Sequence, residues 1–281
     1  MSSVTVLGAT FQNPVLLAAG TAGFGRELAG VIDLEALGGL VTKAVTPEPR
    51  RGHPGPRVAE FPGGMLNAIG LANPGLEVVA THDLPWLANA LRRARVIVNV
   101  AGATIDDYER VVARLDAQPV VTAFEINASC PNTSAGGLEF GATPEQLAAL
   151  IGRTRKRTGR PLIAKLSPAL PDIAAMARVA RDAGADAVSL VNTLPGTLAG
   201  RLGNGFGGVS GPALLPIGVL ATRRVRDALP DLPLIGVGGI RTAADATEYL
   251  RAGASLVAIG TAALADPRVP ERIARELAWQ N

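Results

Sequence analysis

Short apolar runs alternate with longer segments of mixed apolar and polar residues from one end of the chain to the other. The runs cover residues 15–19, 39–42, 96–100, 123–127, 162–166, 187–191, 234–237 and 256–259. Continuous apolar runs of this length, bounded by turn-forming residues, predict buried parallel strands. We therefore predict eight such strands, with a further short strand near residues 4–7.

Helical spacing of apolar residues recurs in eight segments that follow these runs. They cover residues 26–37, 77–93, 106–115, 144–158, 172–183, 214–229, 243–252 and 269–279. Thr143 followed by Pro144 is typical of a helix start, and Gly184 and Gly253 stand where helices would end. Eight strand and helix pairs in strict order favour a single (β/α)8 TIM barrel over residues 1–281, with a doubly wound open sheet as the alternative.

Two connections are longer than ordinary strand-to-helix loops. Residues 46–74 follow the second predicted strand, and residues 193–212 follow the sixth. Loops that follow barrel strands form the catalytic face, so we expect both insertions there as candidate substrate lids.

Composition excludes several classes of protein. The net charge is only +3 and arginines are scattered among acidic residues, so we expect no nucleic-acid partner. No apolar run is long enough to cross a bilayer, and the first residues lack a targeting pattern, so we expect a cytoplasmic protein without membrane contact. Cys130 has no second cysteine, and His53 and His82 stand apart, so we expect neither a disulfide nor a metal site.

Polar side chains stand at the ends of the predicted strands, where packing alone gives no reason for them. They are Lys43, Asn99, Asn127, Lys165, Asn192 and Thr193. The carboxyl ends of barrel strands meet at one mouth, and two of the three lysines in the chain fall there. This placement predicts a catalytic site.

Glycines follow the last two predicted strands, at Gly238, Gly239 and Gly260 with Thr261. Glycine lets backbone N–H groups approach an anion closely, and barrels commonly bind phosphate at this place, so we predict a phosphate site. Tight turns are the structural alternative. Cys130 lies just past the fourth strand in a loop rich in Asn, Ser and Pro, where a thiol can serve as base or nucleophile instead of packing in a core.

Six motifs spread along nearly the whole chain resemble the dihydroorotate dehydrogenases of pyrimidine (UMP) synthesis. They lie at residues 67–71 (NAIGL), 73–75 (NPG), 127–132 (NASCPN), 164–166 (AKL), 191–193 (VNT) and 207–212 (GGVSGP). The NAIGL stretch and the cysteine resemble class 1B, a catalytic subunit that pairs with a second subunit carrying FAD and a 2Fe–2S cluster and passing electrons to NAD. The resemblance implies a homodimer, or a heterotetramer with that subunit.

The same resemblance implies one FMN per chain and oxidation of dihydroorotate to orotate. Cys130 would remove a proton from C5 as hydride leaves C6 for the flavin, and Lys165 would stabilise the anionic reduced flavin. The implied flavin and phosphate contacts are Ala19, Gly20, Lys43, Ala44, Asn99, Asn127, Lys165, Val191, Gly211, Gly238, Gly239, Gly260 and Thr261. The implied substrate contacts are Lys43, Asn67, Ala68, Ile69, Gly70, Leu71, Asn127, Asn192 and Thr193, amides and a lysine that suit a ring carboxylate with amide groups.

Three positions depart from the family pattern: Ala19, Ala44 and Leu215 stand where many relatives have Ser, Thr and Lys. Three other functions stay open at this point. The first is a barrel lyase in which Lys165 forms a Schiff base with a sugar phosphate. The second is a barrel that binds FMN or a metabolite without catalysis, and the third is a class 1A-like dihydroorotate dehydrogenase that uses fumarate as acceptor.

Overall fold

The computed structural model describes residues 3–129 and 140–279. Its strands within these ranges are β1 Val4–Val6, β2 Ala9–Phe11, β3 Val15–Leu17, β4 Gly39–Val41, β5 Val58–Phe61, β6 Gly64–Asn67, β7 Arg95–Val100, β8 Val121–Asn127, β9 Leu162–Leu166, β10 Ala187–Leu190, β11 Leu194–Gly196, β12 Gly207–Ser210, β13 Leu234–Val237 and β14 Leu256–Ile259.

The α-helices in the same ranges are α1 Leu76–Val78, α2 Leu84–Ala90, α3 Ile105–Leu115, α4 Pro144–Arg155, α5 Ile173–Asp182, α6 Leu215–Ala228, α7 Ala243–Arg251, α8 Thr261–Ala265 and α9 Val269–Trp279. One π-helical turn, Val79–Asp83, joins α1 to α2, and 3-10 turns cover Leu34–Ala36 and Pro212–Leu214. None of these helices is both long enough and apolar enough to cross a membrane.

Eight parallel strands close into a barrel in the order β3, β4, β7, β8, β9, β10, β13, β14, and β14 pairs with β3. Each of the eight predicted runs overlaps one of them, so the (β/α)8 barrel is confirmed and the open sheet is excluded. The burial pattern explains the sequence pattern, because these strands are covered inside by the barrel core and outside by helices.

Helix termini follow the expected chemistry. The Thr143 side chain accepts a hydrogen bond from the N–H of Gln146 at the start of α4. Gly184 and Gly253, with φ of 110° and 104°, follow α5 and α7 in the left-handed region that glycine tolerates. These predicted boundaries are confirmed.

The prediction of a helix over residues 26–37 was wrong. The segment forms successive turns, for example with Leu28 N–H donating to Gly25 O at 3.1 Å, and only the 3-10 turn Leu34–Ala36 is helical. Gly30 is a poor helix former. Asp33 is extended (φ −81°, ψ 99°) and its side chain accepts from the Glu35 N–H, so it begins a new turn instead of continuing a helix.

The barrel interior changes character along its axis. Near the amino-terminal ends of the strands it is an apolar cluster that contains Leu16, Ile97 and Ile163, and the β1–β2 hairpin adds Leu7 and Phe11 to this cluster. Two residues further along four strands, the same inward face carries a buried polar layer, because side chains alternate along a strand. This layer consists of Asn99, Glu125, Lys165 and Ser189.

The two insertions pair with each other. β5 and β6 from residues 46–74 and β11 and β12 from residues 193–212 form one antiparallel sheet in the order β11-β12-β6-β5. Ala59, Leu66, Ala68 and Leu202 form its small buried core. Both insertions follow barrel strands, so this sheet adjoins the carboxyl-terminal mouth, and each of the long loops expected as lids contributes two strands to it.

Candidate active site at the barrel mouth

The polar layer is organised around the carboxylate of Glu125. Asn99 Nδ2 donates to it at 2.7 Å, Ser189 Oγ at 2.8 Å, and Lys165 Nζ lies 3.5 Å away. All four side chains are buried. Burial of an ion pair requires such additional hydrogen bonds, because a buried charge without partners is costly.

Glu125 and Ser189 are site residues that sequence reasoning missed. Both stand inside apolar strands, whereas the predicted polar residues stand at strand ends. The sequence does contain a signal for Glu125. It lies two positions before Asn127 on the same strand, so the two side chains share a face. Glutamate is almost never fully buried unless it is paired, so a glutamate in an apolar strand indicates a buried partner.

Lys43 and Asn99 each have a polar group at the mouth that lacks a partner among the described residues. Lys43 is partly buried, and in residues 3–129 and 140–279 no carboxylate lies within 4.0 Å of its ammonium group. The Oδ1 atom of Asn99 is buried, and the described residues supply no hydrogen-bond partner for it. The two groups suit a ligand that brings a negative charge and a donor.

Asn127, Asn192 and Thr193, all predicted site residues, are brought together by hydrogen bonds. Asn192 Nδ2 donates to Ser129 Oγ at 2.6 Å, and Ser129 Oγ lies 3.4 Å from Asn127 Oδ1. The N–H of Thr193 donates to Asn192 Oδ1 at 2.8 Å. Ser129 is a further residue of this group that the sequence analysis did not single out.

The insertion sheet brings the segment from Asn67 to Leu71 towards the same group. Asn67 Nδ2 donates to Gly208 O at 3.2 Å, and a Cβ at Gly208 would lie 2.1 Å from Thr193 Oγ1. Beyond Asn67, the Ile69 carbonyl accepts the His53 N–H at 3.1 Å, and Gly70 and Leu71 have φ of 70° and 57°. Ala68 is buried in the sheet core.

Backbone atoms of four glycines line the other side of the mouth. Gly238 and Gly239 have φ of 122° and 75°, and a Cβ at Gly239 would lie 2.5 Å from Leu215 N. A Cβ at Gly211 would lie 3.6 Å from Thr261 Cγ2, and one at Gly260 would meet nothing closer than 3.6 Å. The predicted phosphate residues thus lie on neighbouring segments that expose backbone atoms, and not side chains, to the mouth.

The remaining predicted flavin contacts lie between the amide group around Asn192 and the glycines around Gly239. Ala19 and Gly20 follow β3, and Gly20 has φ of 81°. Ala44 follows Lys43 and is buried. The N–H of Val191 donates to Val237 O at 2.9 Å, which links the end of β10 to the end of β13.

Cys130 lies outside the described residues. The residues on either side of the gap are close to each other, since the N–H of Gly141 donates to Ala128 O at 2.8 Å. Tyr108 contacts both sides: its hydroxyl donates to Asn127 O at 3.0 Å, and its ring packs edge-on against Phe140 at 5.7 Å between centroids.

The donor set of the mouth fits FMN. The unpartnered Asn99 oxygen can accept from the pyrimidine N–H of a flavin, and Lys165 can face its polar ring edge. The open space at Gly260, together with Gly238 and Gly239, suits a phosphate group held by backbone N–H groups. Ala19 and Ala44 contribute no hydroxyl, whereas Thr21 Oγ1 would lie 3.9 Å from a Cβ at Gly260.

Comparison with known proteins agrees with this geometry. A family model described as "Dihydroorotate dehydrogenase" matches residues 1–280. Proteins named dihydroorotate dehydrogenase B (NAD(+)), catalytic subunit, are similar over almost their whole length. The one from Desulforudis audaxviator is 48% identical over 98% of this chain and 91% of that protein. Those from Geobacter sp. strain M21 and Geobacillus kaustophilus are 45% and 46% identical over 98% of this chain and 91% and 89% of those proteins. The chain therefore belongs to the dihydroorotate dehydrogenase family of FMN-dependent oxidoreductases.

Proposed function

We propose that this chain oxidises dihydroorotate to orotate with one FMN bound at the barrel mouth, in de novo pyrimidine synthesis. The observation that carries the proposal is the mouth itself, where an ammonium group without a counter-ion among the described residues lies on the same face as clustered amides and a glycine-lined loop. Family membership supports it.

Substrate binding would use the half of the mouth formed by β4, β8 and β10. Dihydroorotate is a ring carboxylate with amide N–H and C=O groups. Lys43 would offset the carboxylate charge, while Asn127 and Asn192 supply both donors and acceptors. Asn67 would complete the contacts from the insertion sheet, together with the backbone of residues 68–71.

The reaction breaks two C–H bonds of the substrate. Cys130 would take the C5 proton as a general base, and hydride would leave C6. FMN, when bound, supplies the acceptor for that hydride. Asn127 and Asn192 would hold the ring in place during this step, and the Lys165 ammonium group would face the flavin edge on which negative charge develops. Gly238, Gly239, Gly260 and Thr261 would hold the phosphate.

The electron acceptor is inferred from the relatives. They are named as NAD(+)-linked catalytic subunits, which implies a separate electron-transfer subunit. We propose that such a subunit carries FAD and a 2Fe–2S cluster and passes electrons to NAD, in a heterotetramer built on a homodimer of this chain. These names favour NAD over fumarate. The Schiff-base lyase loses support, because Lys165 pairs with a buried carboxylate in a member of this family.

The base is tested with the purified chain, dihydroorotate and an artificial electron acceptor, so that no partner is needed. Cys130→Ala should keep its flavin absorbance and lose turnover by roughly 100-fold or more, as expected for a lost general base. Near-normal turnover in this variant would contradict the role of Cys130. A wild-type protein that binds FMN and fails to oxidise dihydroorotate would contradict the proposed activity.

The partner is tested by affinity purification from the native host. An FAD and iron–sulfur protein that co-purifies in equal amount and confers NAD reduction supports the proposal. Fumarate reduction by the chain alone, without such a protein, contradicts it.

A further inference from the structure

We infer that Glu125 is a positioning residue that fixes the orientation of Asn99 and balances the charge of Lys165 beside the flavin. The inference deepens the proposed function and rests on it, since it assumes that FMN occupies the mouth. Glu125 itself is not placed against the flavin or the substrate.

Four consecutive barrel strands are joined by this single side chain. Glu125 stands on β8, and its carboxylate bonds Asn99 on β7, Lys165 on β9 and Ser189 on β10. Its side chain is 2% exposed and that of Lys165 is 9% exposed. With three donors the carboxylate is well satisfied, as a charge in this position must be.

The carboxylate determines which end of the Asn99 amide faces the mouth. A carboxylate only accepts hydrogen bonds, so the NH2 group of Asn99 must point towards Glu125. The Oδ1 atom is then left as the buried acceptor that has no partner in the described structure. Without a fixed acceptor on one side, the two ends of an amide would be interchangeable. Glu125 thus makes Asn99 an acceptor for a donor of the bound group.

The same carboxylate limits the positive charge that Lys165 presents. The distance of 3.5 Å from Nζ to Oε1 makes an ion pair in a water-poor interior, where charge interactions are weakly screened. Removal of the negative charge would leave the ammonium group uncompensated. A more positive surrounding stabilises reduced, negatively charged flavin relative to oxidised flavin, so the reduction potential of bound FMN would rise.

The test is the midpoint potential of FMN bound to Glu125→Gln, measured by reductive titration of the holoenzyme. We expect a positive shift of about 30 mV or more, equivalent to a tenfold change in the ratio of affinities for reduced and oxidised FMN. Glu109→Gln is the matched control, because Glu109 is also buried and ion-paired, with Arg153 and Arg157, but on the outer face of the barrel. A Glu125→Gln potential equal to that of this control would overturn the inference.

A second measurement applies if Glu125→Gln does not retain FMN. This measurement is thermal unfolding of the flavin-free proteins. Glu125→Gln should lower the melting temperature when it is made in the wild type. The same change made in Lys165→Met should raise the melting temperature, because the carboxylate there has lost its cation. A lowered melting temperature in both backgrounds would contradict the pairing. If the wild type oxidises dihydroorotate yet neither measurement responds, only the role of Glu125 fails.

Discussion

The hydroxyl of Tyr249 lies 2.9 Å from the carbonyl oxygen of Val237 and 2.8 Å from that of Gly238, so a residue of α7 holds the loop that leaves β13. Burial raises the pKa of this hydroxyl above its usual range, and it therefore remains a donor. The ring is 0% exposed and fills the space left by Gly218 and Gly236, where a Cβ would lie 1.9 Å and 2.3 Å from its atoms.

Tyr249→Phe should weaken FMN binding. It removes the hydroxyl that bonds the carbonyl groups of Val237 and Gly238, although Val237 O keeps the Val191 N–H as a donor. The loss of this bond costs about 1–1.5 kcal/mol and loosens the glycine loop proposed to hold the phosphate. We expect FMN affinity to fall about tenfold, measured by flavin release or isothermal titration. Thr154→Val is the control, because it also removes a buried hydroxyl, bonded to Leu150 O within α4, away from that loop. Equal losses of affinity in both variants would show a general packing effect.

Gly260→Ala separates folding from phosphate binding. A Cβ at Gly260 meets nothing closer than 3.6 Å, so the stability of the flavin-free protein should change by less than about 1 kcal/mol. The methyl group would occupy the space proposed for the phosphate, and FMN affinity should drop at least about tenfold. Gly152→Ala on α4, whose Cβ would meet only Ala183 O at 3.8 Å, should leave FMN affinity unchanged. Unchanged affinity in Gly260→Ala would place the phosphate elsewhere.

The barrel was predictable because each of its strands is buried on both sides. Runs such as Leu162–Leu166 and Leu234–Val237 are apolar almost throughout, and parallel strands impose that pattern. The prediction of a helix over residues 26–37 was wrong because local hydrogen bonds determine the backbone conformation in this segment. Asp33 caps a 3-10 turn, and the spacing of apolar residues does not reveal such a cap.

Among the polar residues of the candidate site, those inside the barrel were predictable only where they end a strand. Lys43, Asn99 and Lys165 were found in this way, whereas Glu125 was not, because its neighbours Phe124 and Ile126 make the run read as core. The pairing of the two insertions into one sheet was also beyond the sequence analysis. Its register joins Asn67 to Gly208, 141 residues apart, and nothing local specifies that contact.

Asn192→Ala should affect substrate binding and leave flavin binding intact. The amide of Asn192 links Ser129 to the Thr193 backbone, at the place proposed for the substrate amides. The loss of one or two hydrogen bonds to the substrate predicts a KM for dihydroorotate raised about tenfold, with an unchanged flavin spectrum. Asn204→Ala, in the insertion that follows Asn192, is the control, because its amide donates to Phe206 O two residues away; it should keep its KM within about twofold. A shifted flavin spectrum in Asn192→Ala would assign the residue to the cofactor.

Glu35, which is remote from the site, makes a pH-dependent contribution to the free energy of unfolding. Its carboxylate accepts the N–H groups of Arg92, Arg93 and Ala94 at 2.9, 3.0 and 3.1 Å, which fixes the chain between α2 and β7. Burial alone would raise the pKa of Glu35, but these bonds outweigh it and hold the pKa below the ordinary 4.5. A lowered folded-state pKa means that this stabilisation is present at neutral pH and is lost as the pH falls below 4.5.

Glu35→Gln should therefore destabilise the protein at neutral pH and matter less in acid. A neutral amide oxygen accepts more weakly than a carboxylate, so we expect a loss of about 1 kcal/mol in the free energy of unfolding at pH 7. The difference from the wild type should shrink as the pH falls below 4.5 and through the lowered pKa of Glu35, because the wild-type carboxyl is then neutral, as the amide is. Urea unfolding at pH 7 and at a pH below 4.5 measures this difference, and Glu276→Gln, at an exposed position, is the control. A difference that is the same at both pH values would mean that Glu35 acts through its shape and not through its charge.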